Sequence, residues 1–189
     1  MAYAVLGPCG TFSEAAARAY WGPEVELLAV DNMEQMGRLL CSRRVQGALA
    51  PLHNTLTGWV DPTLQLLKTH QVVIKGQIEL PVIQHLMVYR SYRCRDLEVV
   101  ISHPLALKQC RDFINTVLCG IKLESRSSTA EAARGLCSEE RQAACIGSQR
   151  AAQLYNLQIL AANIGAPGNY TCFVHIGHRQ GSCPCVTHS

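Results

Sequence analysis

The sequence predicts an α/β fold built mainly from parallel β-sheets. Strand-like and helix-like segments alternate along most of the 189 residues, which is the pattern of β-α-β units. With 48% hydrophobic and 16% charged residues, the composition is typical of a globular chain with a sizeable core. In folds of this class ligands bind beyond the carboxyl ends of the strands, so polar residues that follow strands are the first candidates for a site.

The amino-terminal segments establish the alternation. Short apolar runs predict strands over residues 2–6, 26–30 and 47–51. A turn over 7–10 precedes a helix that begins at Thr11-Phe12-Ser13-Glu14 and continues into an alanine-rich run. Helical spacing predicts further helices over 33–42 and 63–69. Turn-forming residues predict that the segment LHNTLTGWVDPT before the last of these is a loop.

The later segments continue the same pattern. Residues 72–88 are extended and interrupted by Pro81, and a strand over 97–101 ends in Ser102-His103-Pro104. A single helix is expected from about Leu105 to Leu118. The remaining elements are a strand over 121–124, a helix over 128–136, a strand over 143–146 and a helix capped by Ser148.

Composition and charge exclude several classes of protein. No segment approaches the roughly 20 apolar residues of a membrane span, and the start MAYAVLGPCG lacks the features of an export signal. Arginine and lysine are dispersed and the net charge is +3, so nucleic-acid binding is not indicated. The cysteines are scattered singly apart from Cys183 and Cys185, which lack a second pair to complete a zinc site. We predict a cytoplasmic protein without a bound metal.

Four segments at expected strand ends carry small polar residues. They are Gly10-Thr11-Phe12-Ser13, Asn54-Thr55, Ser102-His103-Pro104 and Asn169-Tyr170-Thr171. The first of them combines backbone amides with a helix amino end, which attracts a carboxylate through unpaired N–H groups and the helix dipole. An ordinary helix cap explains the same residues equally well.

Six segments in one order resemble the prephenate dehydratase family. The family pattern is a GTFS-type turn, a P-x-E-N-S loop, an E-x-x-x-x-H segment, an S-H-P-x-A-L-x-Q-C segment, an S-T-x-x-A-A helix and an N-Y-T-R-F ending. This chain has GPCGTFSEAA at 7–16, PLHNTLTG at 51–58, ELPVIQH at 79–85, SHPLALKQC at 102–110, SSTAEAA at 127–133 and NYTCF at 169–173. In the third of these, five residues rather than four separate the glutamate from the histidine. The first and fourth segments are moderately specific, whereas an alanine-rich helix start alone is not.

The resemblance implies two α/β lobes like those of type II periplasmic binding proteins, with a cleft between them. One lobe would hold residues 1–76 and 165–180, the other 77–164, and 181–189 would form a tail. The chain ends soon after NYTCF, so the resemblance implies neither the regulatory domain that usually follows in this family nor a preceding mutase domain. It also implies a homodimer, a small-molecule substrate and no cofactor.

The implied reaction converts prephenate to phenylpyruvate with loss of water and carbon dioxide. Because hydroxide is a poor leaving group, a proton donor must reach the departing oxygen. Thr171 matches the catalytic threonine of the family, and its weakly acidic hydroxyl suits a hydrogen-bond donor or relay. Asn54 and Gln109 match polar residues that orient the substrate. The other expected substrate-binding residues are Thr11, Phe12, Ser13, Thr55, Ser102, His103, Asn169, Cys172 and Phe173. For His103, a role in holding its loop is equally plausible.

Two departures from the family pattern matter. His53 occupies the place of the glutamate before asparagine, and Cys172 occupies the place of the arginine in the last segment. His53 is either a proton donor that works near neutral pH or a surface loop residue. Cys172 lacks the charge and paired donors of a guanidinium, so a substrate carboxylate would be held elsewhere, for example at Thr11 to Ser13. A cysteine beside Thr171 is also a conceivable nucleophile, although a packed thiol is the simpler interpretation.

Three alternatives remain beside prephenate dehydration. Arogenate, the amino analogue, is the nearest alternative substrate. A prephenate decarboxylase that keeps the ring hydroxyl is the second, although the retained Thr171 argues against it. A catalytically silent ligand-binding protein is the third, suggested by the implied binding-protein lobes and the two altered positions.

Overall fold

The computed structural model describes residues 1–178, which form two compact units that each contain their own sheet. Unit 1 comprises Met1–Gly7, Ser13–Pro81 and the segment from Tyr170 onward, and unit 2 comprises Pro8–Phe12 and Val82–Asn169. The predicted α/β class with two lobes is confirmed. Unit 1 extends to Pro81, beyond the expected limit of residue 76, because the strand Val72–Pro81 pairs along its whole length with the strand Tyr170–His178 of the same unit. The expected tail 181–189 lies outside the described residues.

Unit 1 contains a mixed sheet flanked by three helices. Its strands are β1 (Tyr3–Leu6), β2 (Leu27–Val30), β3 (Ala48–Asn54), β4 (Gly58–Trp59), β5 (Val72–Pro81) and β11 (Tyr170–His178), and its helices are α1 (Phe12–Trp21), α2 (Met33–Cys41) and α3 (Asp61–Thr69). The strand order is β2-β1-β3-β11-β5, with β4 paired to β3. The first three strands of this order are parallel, and β11 runs antiparallel to β3 and β5.

Helices α2 and α3 cover one face of this sheet. Met36 and Leu40, one helical turn apart on α2, are fully buried against the strands. Burial of each such side chain contributes about 1.5–3 kcal/mol. From the sheet, Val174 and Ile176 of β11 join the same cluster. Because successive side chains of a strand alternate, Thr171, Phe173 and His175 point to the opposite face.

The pairing of β3 with β11 contains a β-bulge beside a proline. Phe173 is opposite Pro51, whereas Cys172 is opposite His53 and Thr171 is opposite Asn54, so Leu52 is an extra residue on β3. Proline cannot donate to a strand ladder, and a bulge is one of the few places in a sheet that tolerates it. The predicted loop over LHNTLTGWVDPT was therefore wrong in part. Its first three residues continue β3, and Gly58–Trp59 forms β4, because both segments find partner strands.

Unit 2 contains a five-stranded sheet in the order β10-β6-β9-β7-β8. Its strands are β6 (His85–Val88), β7 (Val99–Ser102), β8 (Lys122–Ser125), β9 (Ala143–Gly147) and β10 (Gln158–Ala161), and its helices are α4 (Pro104–Gln109), α5 (Arg111–Val117), α6 (Thr129–Gly135) and α7 (Gln149–Leu154). Val100 packs into one apolar cluster and its neighbours Val99 and Ile101 into another. Helices therefore cover both faces of this sheet.

The helix expected from about Leu105 to Leu118 is divided in two at Cys110. The ψ angle of Cys110 is 12°, far from the helical value of about −42°. The carbonyl of Gln109 accepts a hydrogen bond from Ala166 N at 2.9 Å, a partner outside the helix. The single-helix prediction was wrong at this point because that tertiary contact was not visible in the pattern.

The described residues also bear on the predictions about thiols and membranes. The cysteines within 1–178 are free thiols, and Cys183 and Cys185 lie outside that range. Across the same range, no helix has both the length and the apolar character to cross a bilayer.

An aromatic cluster surrounds His175 on the α1 side of the unit 1 sheet. Tyr3 and Trp21 stack with ring centroids 4.0 Å apart, and both rings meet His175 edge-on, as does Tyr20. Burial lowers the pKa of His175, and the positive charge of Lys75 lowers that pKa further. The fold therefore favours the neutral imidazole.

We expect the free energy of unfolding to fall as the pH drops below about 6.5, because the unfolded chain then takes up a proton that folded His175 resists. Burial also lowers the pKa of His85, so two histidines contribute. His175→Phe should reduce this pH dependence and leave the part due to His85. Urea unfolding of both proteins at several pH values between about 5.5 and 8 measures the difference. Equal slopes for wild type and variant would contradict the role of His175.

Candidate active site

Asn54 and Thr171 form a buried polar pair between neighbouring strands of unit 1. The Nδ2 of Asn54 donates to Thr171 Oγ1 at 2.9 Å and to Tyr170 O at 3.0 Å. Its Oδ1 accepts from the backbone N–H groups of Leu56 and Thr57 and from the Thr57 hydroxyl, at 3.0–3.2 Å. This pattern fixes the orientation of the Asn54 amide, because its NH2 side and its oxygen side each meet the matching kind of partner.

The Thr171 hydroxyl accepts this hydrogen bond while only 7% of the residue is exposed. Because Asn54 supplies a proton to Oγ1, the hydroxyl's own proton points elsewhere. Within residues 1–178 no protein acceptor for that proton is recorded. The pair therefore presents a hydroxyl group whose position is fixed by Asn54.

His53 and Cys172 lie on the opposite face of β11 from the Thr171 hydroxyl. Cys172 is opposite His53 on one side and opposite Glu79 on the other. The His53 ring lies edge-on to Trp59, with centroids 4.9 Å apart. Burial raises the pKa of the Cys172 thiol, and the negative charge of Glu79 raises it further. A thiol in this setting remains protonated at neutral pH and is a poor nucleophile.

Two further predicted residues of unit 1 have structural contacts. Thr55 is tied to the last strand, since its backbone N–H donates to Tyr170 O and its hydroxyl accepts from Tyr170 N, both at 2.9 Å. Phe173 is buried on the Thr171 face of β11. Both residues therefore support the position of Thr171 within β11.

The glycine-rich turn is anchored to the residues that flank the two ends of α7 in unit 2, Ser148 and Tyr155. Ser148 donates to Gly10 O at 2.8 Å, and the Tyr155 hydroxyl donates to Cys9 O at 2.9 Å. Gly10 has a φ of +91°, which favours glycine. After this turn Thr11 and Phe12 are half-buried, and Ser13, the first residue of the following unit 1 segment, is buried.

Ser102 and His103 follow β7 and are held by backbone contacts. Ser102 is 0% exposed and donates to Ile146 O at 2.7 Å. His103 caps α4, with its Nδ1 accepting from Leu105 N at 3.2 Å. These contacts help to shape the strand end, and the expected substrate contacts of both residues stay predictions.

Gln109 lies at the end of α4 beside Gln84, a residue that the sequence patterns did not single out. The Nε2 of Gln84 donates to Gln109 Oε1 at 3.4 Å. The signal that identifies Gln84 is structural, because a buried glutamine in the connection before β6 forms no periodic pattern. Asn169 is also buried, and its backbone oxygen accepts from Val82 N at 2.8 Å.

Metal ligands are not grouped in the described part of the chain. Over residues 1–178, no three His, Cys, Asp or Glu side chains are arranged to hold a metal ion.

Comparison with known proteins decides the family. A family model described as prephenate dehydratase matches residues 3–181. The chain belongs to the prephenate dehydratase family. This confirms the resemblance inferred from the six sequence segments.

Two curated relatives illustrate the range of the family. Over 178 residues the chain is 34% identical to a bifunctional chorismate mutase/prephenate dehydratase of Stutzerimonas stutzeri, covering 94% of this chain and 48% of that protein. Over 179 residues it is 36% identical to arogenate dehydratase 1 of Petunia hybrida, covering 93% of this chain and 42% of that protein. The chain thus spans less than half of either relative.

A solved structure agrees with the fold. A prephenate dehydratase from Arthrobacter aurescens, solved in complex with L-Phe, has a TM-score of 0.88 and 26% identity. The match covers 97% of this chain and 62% of that one. It confirms the two-lobed, type II α/β fold expected from the resemblance.

We expect Ser148→Ala to destabilise the protein by about 1–3 kcal/mol, because Ser148 both caps α7 through Ala151 N and donates to Gly10 O in a buried setting. Ser128→Ala is the matched control, since Ser128 caps α6 through Glu131 N and should cost about 1 kcal/mol. Thermal unfolding of both variants measures the difference. A smaller loss for Ser148→Ala than for Ser128→Ala would contradict the anchoring of the glycine turn.

Proposed function

We propose that this prephenate dehydratase domain converts prephenate to phenylpyruvate, releasing water and carbon dioxide. The observation that carries the proposal is the buried Thr171 hydroxyl, which accepts from Asn54 and keeps its own proton available. The family match supports the same reaction. The bond from the ring to its carboxylate breaks with release of carbon dioxide, and its electron pair completes the aromatic ring as the carbon–oxygen bond to the ring hydroxyl breaks. The departing hydroxide takes up a proton from solvent and leaves as water, while a hydrogen-bond donor stabilises the developing charge on its oxygen.

In this proposal Thr171 is the catalytic residue and Asn54 positions it. Thr171 donates a hydrogen bond to the departing ring hydroxyl, and general acid assistance of this kind is worth about 10²-fold to 10⁴-fold. Asn54 acts through Thr171, because its amide already meets partners on both its NH2 side and its oxygen side. A polarised O–H held in a buried site needs no reorganisation during the reaction.

The substrate carboxylates would be bound by neutral donors in this proposal. Cys172 stands where the family pattern has arginine and provides no guanidinium. The NH2 group of Gln109 is the donor that we assign to a substrate oxygen. Hydrogen bonds from neutral groups to charged oxygens still contribute about 1.5–3 kcal/mol each.

Arogenate is the second candidate substrate, favoured by a specific comparison. The relative from Petunia hybrida is named arogenate dehydratase 1. The ring chemistry of the two substrates is the same, so the Thr171–Asn54 pair suits either.

The other two alternatives do not use the Thr171 donor. A decarboxylase would retain the ring hydroxyl, and a silent binding protein would release no hydroxyl at all. Homodimer formation, a cytoplasmic location and independence from cofactors stay predictions.

Replacing Thr171 by valine should lower kcat by about 10²-fold to 10⁴-fold, because the shape remains but the O–H donor is lost. Thr171→Ser retains the donor and should keep most of the activity. Thr63→Val is a matched control, since its buried hydroxyl donates to Pro51 O and serves the fold alone. Ultraviolet absorbance and mass spectrometry of the products give the readout.

Three outcomes would contradict this function. Decay of prephenate at the blank rate with wild-type protein contradicts prephenate dehydration, and decay of arogenate at the blank rate as well excludes both enzyme functions, whether or not calorimetry still detects binding. Decarboxylation to a non-aromatic product points to the decarboxylase. Equal rates for wild type and Thr171→Val remove Thr171 from the mechanism.

We expect His53→Gln and Cys172→Ser to change kcat by less than about tenfold, well below the loss for Thr171→Val. Both side chains lie on the face of β11 opposite the Thr171 hydroxyl. The pH profile of kcat/KM checks the imidazole separately, since loss of an acidic or basic limb in His53→Gln would make His53 a proton donor after all.

A further inference from the structure

Gln84 is a buried side chain whose amide is only partly satisfied. It lies in the segment that joins β5 to β6, and 3% of it is exposed. Its Nε2 donates to Gln109 Oε1 at 3.4 Å. Its Oε1 is buried and meets no hydrogen-bond donor among residues 1–178. Natural proteins rarely bury such an atom, so the contact with Gln109 has to outweigh its cost.

A short backbone segment holds Gln84 and Gln109 in register with each other. Ile164 N donates to Gln84 O, and Ala166 N donates to Gln109 O, each at 2.9 Å. Between these donors lies Gly165, where an added Cβ would sit 3.4 Å from the Cβ and Cγ of Gln84. Segment 164–166 therefore fixes both backbones and confines the Gln84 side chain.

The contact with Gln84 decides which end of the Gln109 amide faces Gln84 and which end faces away from it. Because Gln84 donates to it, Gln109 Oε1 is turned toward Gln84 and its NH2 group is turned away. The reversed arrangement would make Gln84 the acceptor and bury an NH2 group with two N–H donors to satisfy. Buried N–H groups without partners are rarer in proteins than under-satisfied carbonyl oxygens, which favours the observed arrangement.

We propose that Gln84 is a positioning residue that holds the NH2 group of Gln109 outward, so that unit 2 offers the substrate a hydrogen-bond donor at this point. The inference rests on the proposed function, because it assigns Gln109 to an oxygen of the anionic substrate, either a carboxylate or the keto group. A substrate N–H donor placed there would face another N–H donor. Gln84 therefore makes this position selective for oxygen acceptors.

The decisive variant is Gln84→Glu, which reverses the polarity of the contact at nearly constant shape. A carboxylate at position 84 accepts from the NH2 group of Gln109 and turns Gln109 Oε1 toward the substrate. We expect kcat/KM for prephenate to fall by about 10-fold to 100-fold, mainly through KM, because a hydrogen bond to a charged oxygen is lost in both ground and transition states. Gln84→Met leaves Gln109 unoriented and should lower kcat/KM by about threefold to tenfold.

A double-mutant cycle separates positioning from a general effect on the fold. With Gln109→Leu already in place, Gln84→Glu should change kcat/KM by less than about twofold, because there is no amide left to turn. The matched control is Gln153→Glu, which adds the same charge at an exposed position of unit 2 and should leave kcat/KM unchanged. Equal losses in both backgrounds, or the same loss in the control, would overturn the proposal.

Side-chain amide hydrogen exchange by NMR tests the orientation without any turnover. In the wild type the NH2 group of Gln84 should exchange more slowly than that of Gln109, and in Gln84→Glu the Gln109 group should become protected. A protected Gln109 group in the wild type would overturn the proposal. If wild-type protein fails to consume prephenate, the proposed function fails, and the exchange data still decide the arrangement of the two amides.

Discussion

The register between β3 and β11 is the constraint on which the candidate chemistry of unit 1 depends. With Leu52 as an extra residue, Thr171 lies opposite Asn54 and the two side chains meet at 2.9 Å. Without the bulge the pairing would continue from Pro51 and bring His53, in place of Asn54, opposite Thr171. Register in a sheet moves whole sets of side chains at once, so a single residue decides which groups meet the hydroxyl. Pro51, which cannot donate to the ladder, lies where the ladder is already interrupted.

The same register separates the departures from the family pattern from the groups that we assign to catalysis. His53 and Cys172 are opposite each other, on the far side of β11 from the Thr171 hydroxyl. Both replacements therefore fall within one cross-strand pair, and the Thr171–Asn54 contact remains intact beside them. The raised pKa of Cys172 fits this separation, because a packed, protonated thiol leaves the donor on the other face undisturbed.

Much of the fold could be predicted from the sequence, because the apolar residues of buried helices and strands recur with different periods. The apolar face of α2, with Met36 and Leu40, was readable from spacing alone. Spacing did not predict the division of the long helix at Cys110, because that division depends on a hydrogen bond from the distant Ala166. Spacing also did not predict that β3 continues through Asn54, because that continuation depends on pairing with β11. For the site, Thr171, Asn54 and Gln109 came from motif resemblance. Gln84 lies inside the segment 79–85, but the family pattern of that segment does not specify a glutamine, so only the burial of Gln84 and its contact with Gln109 distinguish it.

The side-chain amides of Asn54 in unit 1 and Gln84 in unit 2 hold Thr171 and Gln109, respectively, with different rigidity. The Asn54 amide meets partners on both its sides within unit 1, so its orientation is fixed before any substrate arrives. Gln84 is incompletely satisfied, and its single donated bond at 3.4 Å is longer than the contacts of Asn54. In the proposed function, the rigid Asn54 anchor suits the Thr171 hydroxyl, because preorganisation of a donor that faces the departing oxygen would lower the barrier directly. The looser Gln84 anchor suits the role that we propose for Gln109, because a bond from Gln109 to a substrate oxygen would exist in the ground state as well and would contribute to binding.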